Sequence, residues 1–300
     1  MFTSQDISEF VRAPAPATRR FAPGPRFSIV MPSFNHARFI ERSLNSVLNQ
    51  QYERIELIVM DGGSGDGTRE ILERYSRHIA LWRSERDGGQ SDALNSGFAC
   101  ATGEIYGWLN SDDLYLPGAL HHAAHVFAAN PQIDVVYGDW LTIDEADRII
   151  ERFPALAASR GRLVTEGFFC NAQAMFWRRS LHERLGEFDG ELHYTMDYDL
   201  MLRMISLAGA RSFFRTARPL GCFRVYRGQK TGSVSDPVRK EHRRIADRQG
   251  TSWKYTLRGE AVRAFYRVTR CVEYLMRGRR SHLLRRLRSH LGPGGTSAAS

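Results

Sequence analysis

The chain has four cysteines in 300 residues, Cys100, Cys170, Cys222 and Cys271, and no two of them form a Cys-x-x-Cys pair. That spacing fits neither a disulfide framework nor a zinc site. It is what buried free thiols in a reducing compartment look like. No apolar run approaches the roughly 20 residues needed to cross a bilayer. The first 25 residues are polar and rich in Pro and Ala, without the apolar segment of a secretory signal. They read as a flexible arm over 1–25. Neither a Gly-x-Gly-x-x-Gly segment nor a P-loop ending in Gly-Lys-Ser/Thr is present, and no internal repeat is visible.

Hydrophobic residues make up 42% and charged residues 25%, as in ordinary globular proteins. The net charge of +9 is unevenly placed. Residues 1–230 hold 26 Lys+Arg against 28 Asp+Glu, and residues 231–300 hold 16 against 5. The basic excess therefore belongs to the last 70 residues, not to the body.

Along the body, short apolar runs alternate with segments of helical spacing. Strands are expected at Phe27–Met31, Ile55–Met60, Ile79–Arg83, Ile105–Leu109 and Ile133–Tyr137. Helices are expected over Ala37–Gln50, Thr68–Tyr75, Ser91–Cys100 and Pro117–Ala129, the last with Pro at its start. Strands that are apolar throughout imply a parallel sheet covered on both faces, an α/β fold. After Asp139 the pattern is irregular. A helix is expected at Asp197–Leu207, a return to the sheet at Arg215–Tyr226, and one or two helices over Trp253–Leu291.

Ligands of such sheets bind beyond the carboxyl ends of the strands. Those ends carry Pro32-Ser-Phe-Asn35, Asp61-Gly-Gly-Ser64, Glu85 to Asp87 and Asn110-Ser-Asp-Asp113. The last follows the apolar run Tyr106–Leu109 and stops at two adjacent carboxylates, which repel unless something positive lies between them. A solvated turn is one reading. A divalent cation with a phosphate-bearing substrate is the other. Oxygen ligands without a His/Cys cluster favour Mg²⁺ or Mn²⁺ over zinc. Consecutive strand side chains face opposite ways, so one Asp would meet the metal and the other the sugar of a nucleotide. Asp61 can accept from a base N–H or a ribose hydroxyl. Asp66 or Thr68 reads as the N-cap of the helix that follows.

Taken together and in order, Val30-Met-Pro-Ser-Phe-Asn35, Val59-Met-Asp-Gly-Gly-Ser-Gly-Asp-Gly-Thr68, Asp87-Gly-Gly-Gln-Ser-Asp-Ala-Leu-Asn95, Leu109-Asn-Ser-Asp-Asp113 and Met196-Asp-Tyr-Asp-Leu-Met-Leu-Arg203 resemble the motif set of family 2 glycosyltransferases. The resemblance covers about Phe27 to Gly232. It implies a GT-A type, Rossmann-like, mostly parallel sheet flanked by helices, occupying 26–235. A basic helical extension over 236–291 and a disordered tail over 292–300 would follow. It also implies a nucleotide-sugar donor (UDP-, GDP- or dTDP-linked), a divalent metal, Mn²⁺ or Mg²⁺, and inversion at the anomeric carbon.

On that resemblance Pro32, Ser33 and Asn35 border the nucleoside. Asp61 holds the base, with Asp87 near the base or the ribose. Asp113 binds the metal and Asp112 faces the ribose. Asn110 and Met196 stand where many relatives have Asp and Glu. Asp197 falls on the catalytic-base position, and a carboxylate suits the proton an acceptor hydroxyl must lose. Tyr226 stands where relatives often have His; Arg224 or Lys230 would then meet the diphosphate, with a solvated loop the equal alternative. Gln173, Trp177 and Arg178 resemble the acceptor-side segment, with a core role the alternative for Trp177. Asp199 and Arg203 read equally as an ion pair.

The activity implied is non-processive sugar transfer to a glycan or lipid-linked acceptor in cell-surface polysaccharide synthesis, since a Gln-x-x-Arg-Trp segment is missing. The location expected is cytoplasmic, peripheral on the inner membrane face. The basic tail either docks on anionic lipid or buries its stripe, Leu257, Val262, Phe265, Val268, Val272, Leu275 and Met276, on the body. Nucleic acid is not expected as a partner, because no recognised binding module accompanies the charge. The rivals are a nucleotidyltransferase on a similar sheet, for which Arg38 and Arg42 are the basic residues on offer, a catalytically inactive nucleotide- or glycan-binding module, and a basic interaction protein.

Overall fold

The computed structural model describes residues 2–13, 24–230 and 236–276. Its strands are β1 (Phe27–Ser33), β2 (Ile55–Asp61), β3 (Leu81–Ser84), β4 (Ile105–Trp108), β5 (Leu114–Tyr115), β6 (Val135–Ile143), β7 (Ile149–Phe153), β8 (Met175–Arg178) and β9 (Phe213–Arg224). They form one sheet in the order β3-β2-β1-β4-β8-β6-β9-β5, with β7 paired to β6. The first four are mutually parallel. β8 runs antiparallel to β4 and β6, and β6 and β9 are parallel again. The expected α/β sheet is present, and mostly parallel.

Alternate residues of β1 and β2 feed two cores. Ile29, Met31, Leu57 and Val59 point to one face, and Val30, Ile58 and Met60 to the other. This period of two explains why both strands read as continuous apolar runs. The first face is covered by α2 (Ile40–Leu48), α3 (Thr68–Tyr75) and α5 (Ala119–Ala129). The second is covered by α4 (Gln90–Cys100), α6 (Arg160–Glu166), α7 (Arg179–Leu185) and α8 (Met196–Ala208). Gly97 sits inside α4 because a Cβ there would lie 2.4 Å from Val30 Cγ1. The missing side chain lets the helix close onto β1.

One expectation changes. Part of the N-terminal arm is a docked helix, α1 (Ser4–Arg12). Thr3 and Asp6 form a capping box. Ile7 and Val11 pack with Leu114, Leu116, Leu141, Ile143 and Cys222. Asn45 and Asn49 of the α2 region donate to the carbonyls of Val11 and Phe10 at 3.0 and 2.8 Å. Residues 14–23 lie outside the described residues. The basic extension comprises α9 (Asp236–Arg248) and α10 (Leu257–Met276), and both contact the body. The expected helix beyond Met276 and the tail over 292–300 lie outside the described residues. All four cysteines are free, Cys170 and Cys222 buried.

Candidate active site

A cleft of about 930 Å³ opens at the carboxyl ends of β1, β2 and β4. Its walls come from the segments 32–36, 62–63, 86–90, 108–112, 193–197 and 223–230. Of the residues expected to act, Pro32, Ser33, Asp87, Asp112, Asp197 and Lys230 line it. Asn35, Asp61 and Asp113 do not.

The loop after β2 is built by Asp61. Its buried carboxylate accepts from Ser64 N at 2.9 Å, Ser64 Oγ at 2.5 Å and Ser84 Oγ at 2.7 Å. Three donors fill most of a carboxylate's capacity. In this structure Asp61, expected to hold a base, holds the Gly62–Gly63 wall in place. Asn35, in the left-handed region at φ 54, ties the β1 loop to this one, donating from N to Ser64 Oγ at 2.7 Å and accepting from Gly65 N at 3.1 Å. Asp66 does not cap α3, whose N-cap is Gly67 without a side-chain bond; it instead ties the turn before the helix, its Oδ1 accepting from Thr68 N at 3.1 Å and its Oδ2 from Ala37 N at 2.9 Å. Burial raises its pKa, but these donors outweigh burial and leave it below the ordinary value. Gly62 presses against Asp87, a Cβ there meeting Asp87 Oδ1 at 3.1 Å. Burial and the charges of Asp92 and Asp61 push the Asp87 carboxyl up, against the pull of the Gly89 N–H.

Asn110, Asp112 and Asp113 divide the work at the end of β4. Asn110 Oδ1 accepts from Trp108 Nε1 at 2.7 Å and Gln90 Nε2 at 2.8 Å, and its amide donates to Asp113 Oδ2 at 3.1 Å. Asp113 is wholly buried, and its Oδ1 accepts the Arg224 N–H at 2.9 Å. Burial and the neighbouring Asp112 push the Asp113 carboxyl well above the usual range. A turn, Asp113 N donating to Asn110 O at 3.1 Å, sets which carboxylate faces the cleft. That carboxylate is Asp112. The sequence expectation had assigned the metal to Asp113 and the sugar to Asp112. Asp113 instead lies behind the cleft wall with both oxygens spoken for.

Asp112 Oδ2 accepts the Tyr226 hydroxyl at 2.9 Å, and His36 Nε2 lies 3.9 Å from the same oxygen. His36 Nδ1 bonds Ser111 Oγ at 2.7 Å, which fixes the ring and leaves Nε2 toward the cleft. Among the described residues no three or more His, Cys, Asp or Glu converge as a metal cage. One carboxylate and a nearby imidazole nevertheless fit Mn²⁺ or Mg²⁺, which take their other ligands from water and phosphate.

Asp197 opens α8 at the opposite wall. Burial pushes its carboxyl up to about 6, while the Tyr198 N–H at 2.8 Å and the charge of Lys230 pull the other way. Lys230 donates to Gln90 Oε1 at 3.3 Å and lies 5.5 Å from the Tyr194 ring centroid. Burial lowers its pKa, with Glu241 and Asp197 opposing.

Glu241 of α9 accepts from the N–H groups of His193, Tyr194 and Thr195, each at 3.0 Å, and from Thr195 Oγ1 at 2.8 Å. The extension thus holds the loop that leads into Asp197. Other residues turn away from the cleft. Arg224 is fully buried, paired with Asp147 at 2.8 Å and bonded to Asp112 O at 2.7 Å. Asp199 pairs with Arg203 and Arg248, both at 2.7 Å. Arg178 donates to Ile133 O, and Trp177 and Gln173 are buried. His36, Gln90, His193 and Glu241 were missed. His36 adjoins a strand-end motif and was findable; Glu241, 44 positions beyond Asp197, gave no signal.

Residues 28–185 match the family model for glycosyl transferase family 2. The chain belongs to that family. It is 31% identical over 191 residues to an uncharacterized glycosyltransferase of Rickettsia typhi, a match spanning 61% of this chain and 60% of the relative. It is 32% identical over 182 residues to one from Mycobacterium tuberculosis, spanning 60% and 68%. The fold is similar to that of S. aureus TarS 1-349 solved with UDP-GlcNAc, at TM-score 0.59 and 17% identity, covering 77% of this chain and 67% of that one. It is also similar to a mannosyltransferase from Pyrobaculum calidifontis solved with GDP-Man and Mn²⁺, at TM-score 0.50 and 17% identity, covering 93% and 88%. The sheet is thus of the GT-A type, and the chain spans less than two thirds of the length of the Rickettsia relatives it matches, 60% of one and 32% of another.

Proposed function

We propose that the cleft binds a nucleotide-sugar donor with a divalent metal and transfers its sugar, with inversion, to a hydroxyl of a glycan or lipid-linked acceptor. The observation that carries this reading is the convergence of Asp112, Asp197 and Lys230 on one cleft at the sheet's carboxyl edge. Pro32, Ser33 and Asp87 border the nucleoside, with Asn35 and Asp61 fixing the loops around it. Asp112, with His36 beside it, would hold Mn²⁺ or Mg²⁺. A bound metal would neutralise charge building on the leaving diphosphate.

Lys230 adds a positive charge for the same oxyanions. Asp197 accepts the acceptor's proton as its oxygen bonds the anomeric carbon. The bond from that carbon to the diphosphate oxygen breaks, and the electron pair leaves with the diphosphate. A carboxyl near 6 is ionised at neutral pH and still basic enough to take the proton.

The nucleotidyltransferase reading loses its basic residues. Arg38 pairs with Glu145, and Arg42 with Asp147 at 2.9 Å; neither lines the cleft. Cell-surface polysaccharide synthesis, by single additions from the cytoplasmic side, is the setting this reading favours. A thermal-shift screen of UDP-, GDP- and dTDP-sugars, with and without Mn²⁺, tests the donor site. A melt shifted by one nucleotide class supports it. A melt shifted by none refutes it.

A further inference from the structure

Helix α10 is amphipathic, and it faces the wrong way for a helix whose apolar side serves the core. At 3.6 residues per turn, Leu257, Phe265, Val268, Val272, Leu275 and Met276 fall within one arc of about 100°. All six are exposed, Leu257 by 90% and Val268 by 65%. The opposite, polar face holds the helix to the body. Glu273 takes the buried Arg162 at 2.7 Å and Arg215 at 2.6 Å. The Tyr266 hydroxyl bonds Ser159 Oγ at 2.6 Å, Thr269 Oγ1 accepts from Arg162 at 3.0 Å, and Arg270 lies 3.4 Å from Glu166. Of the seven residues of the stripe, six are thus exposed and Val262 is half-buried.

A face of this kind needs an occupant, and charge chooses among the candidates. The arc's one charged residue is Arg258, at its edge beside Met276, while Arg267 lies about 80° beyond the other edge. The sequence that follows, 277–291, adds six arginines and no acid. A second copy docked on the arc would bring like charges together, whereas an anionic lipid surface complements them. A helix with an aliphatic and aromatic face, an arginine at one edge and an arginine-rich sequence after it has the composition of an interfacial helix lying in the headgroup plane. No helix among the described residues is long and apolar enough to span the bilayer.

We infer that the exposed apolar face of α10 docks the protein on an anionic membrane surface. Phe265, Val268 and Val272 enter the acyl boundary, and the arginines meet lipid phosphates. This placement does not depend on the transfer chemistry proposed above, but it would bring a lipid-linked acceptor and the enzyme to one surface.

The test is flotation of the full chain with phosphatidylcholine vesicles and with vesicles containing a third phosphatidylglycerol. The Phe265→Glu/Val268→Glu variant is run beside it. Both positions are exposed, so the variant should keep the wild-type melting temperature and nucleotide response. The wild type should float with the anionic vesicles, less so at high salt, and not with neutral ones. The variant should bind at least about tenfold more weakly, since each side chain loses the burial of a large apolar group. Absence of flotation with anionic vesicles would overturn the inference, as would equal binding by the variant. So would a wild-type dimer in sedimentation that the variant dissociates, because the occupant would then be a second copy. A failed nucleotide screen with intact flotation would refute the transferase reading alone.

Discussion

The Tyr226 hydroxyl donates to Asp112 Oδ2 at 2.9 Å, joining the loop after β9 to the carboxylate at the end of β4. His36 Nε2 stands 3.3 Å from the same hydroxyl. On the proposed reading, Tyr226 orients the carboxylate that would hold the metal. Outer partners of this kind typically govern metal affinity by 10- to 100-fold. Tyr226→Phe should weaken Mn²⁺ binding by about tenfold, read by the free-ion EPR signal during titration. Unchanged affinity would remove Tyr226 from the site.

Asp112 and Asp113 should respond differently to amidation. Asp112→Asn should abolish measurable Mn²⁺ binding with little change in melting temperature. Asp113→Asn should retain Mn²⁺ binding but lose about 1–3 kcal/mol of stability, because one of its two buried acceptors becomes a donor facing a donor. Equilibrium denaturation and metal titration of both variants decide it. Loss of metal in Asp113→Asn with an intact fold would restore the assignment made from sequence.

The raised Asp197 carboxyl sets a pH dependence. A base must be ionised, so transfer should fall as pH drops through about 6 and reach a plateau above it. The sign for stability is opposite. A carboxyl raised above its unfolded value favours the folded state at low pH, and that advantage is lost as pH rises through about 6. A pH profile of kcat/KM with an acid limb far from 6, or an alkaline one, would contradict the assignment.

Glu241 contacts no substrate in this account, yet its four accepted hydrogen bonds hold the approach to Asp197. It is a positioning residue. Glu241→Ala should lower kcat by about tenfold or more, in line with the 1.5–3 kcal/mol of a bond to a charged group, and leave KM for the donor within a few-fold. Glu241→Gln, which keeps an acceptor oxygen, should recover part of the loss. A change confined to KM would place Glu241 in binding instead.

The parallel half of the sheet was legible because β1, β2 and β4 are buried on both faces and so read as unbroken apolar runs. The pairing of β6 with β9 was not. It joins residues some 80 positions apart, and β9 carries Arg215, Arg218 and Pro219, which break any apolar pattern. α1 was readable from Thr3, Asp6 and the Ile7/Val11 spacing, but the Pro- and Ala-rich stretch beyond it dominated the reading. At the site, the strand-end motifs marked the right edge of the sheet. They did not separate Asp112 from Asp113, because a turn hydrogen bond between Asn110 and Asp113 makes that choice. Asp61 reads as a ligand because a lone strand-end carboxylate resembles one; its bonds from Ser64 lie within the same loop, and the one from Ser84 appears only when β2 and β3 are paired.

The central claim is that one cleft holds the donor while Asp197 takes the acceptor's proton. It is tested by isothermal titration of the donor found in the screen, with Mn²⁺, into wild type and Asp197→Asn, beside nucleoside diphosphate release in the presence of acceptor. The account predicts donor affinity within about threefold in the two proteins and a fall in release of at least about 100-fold in the variant. Release at a near-wild-type rate by Asp197→Asn would contradict it.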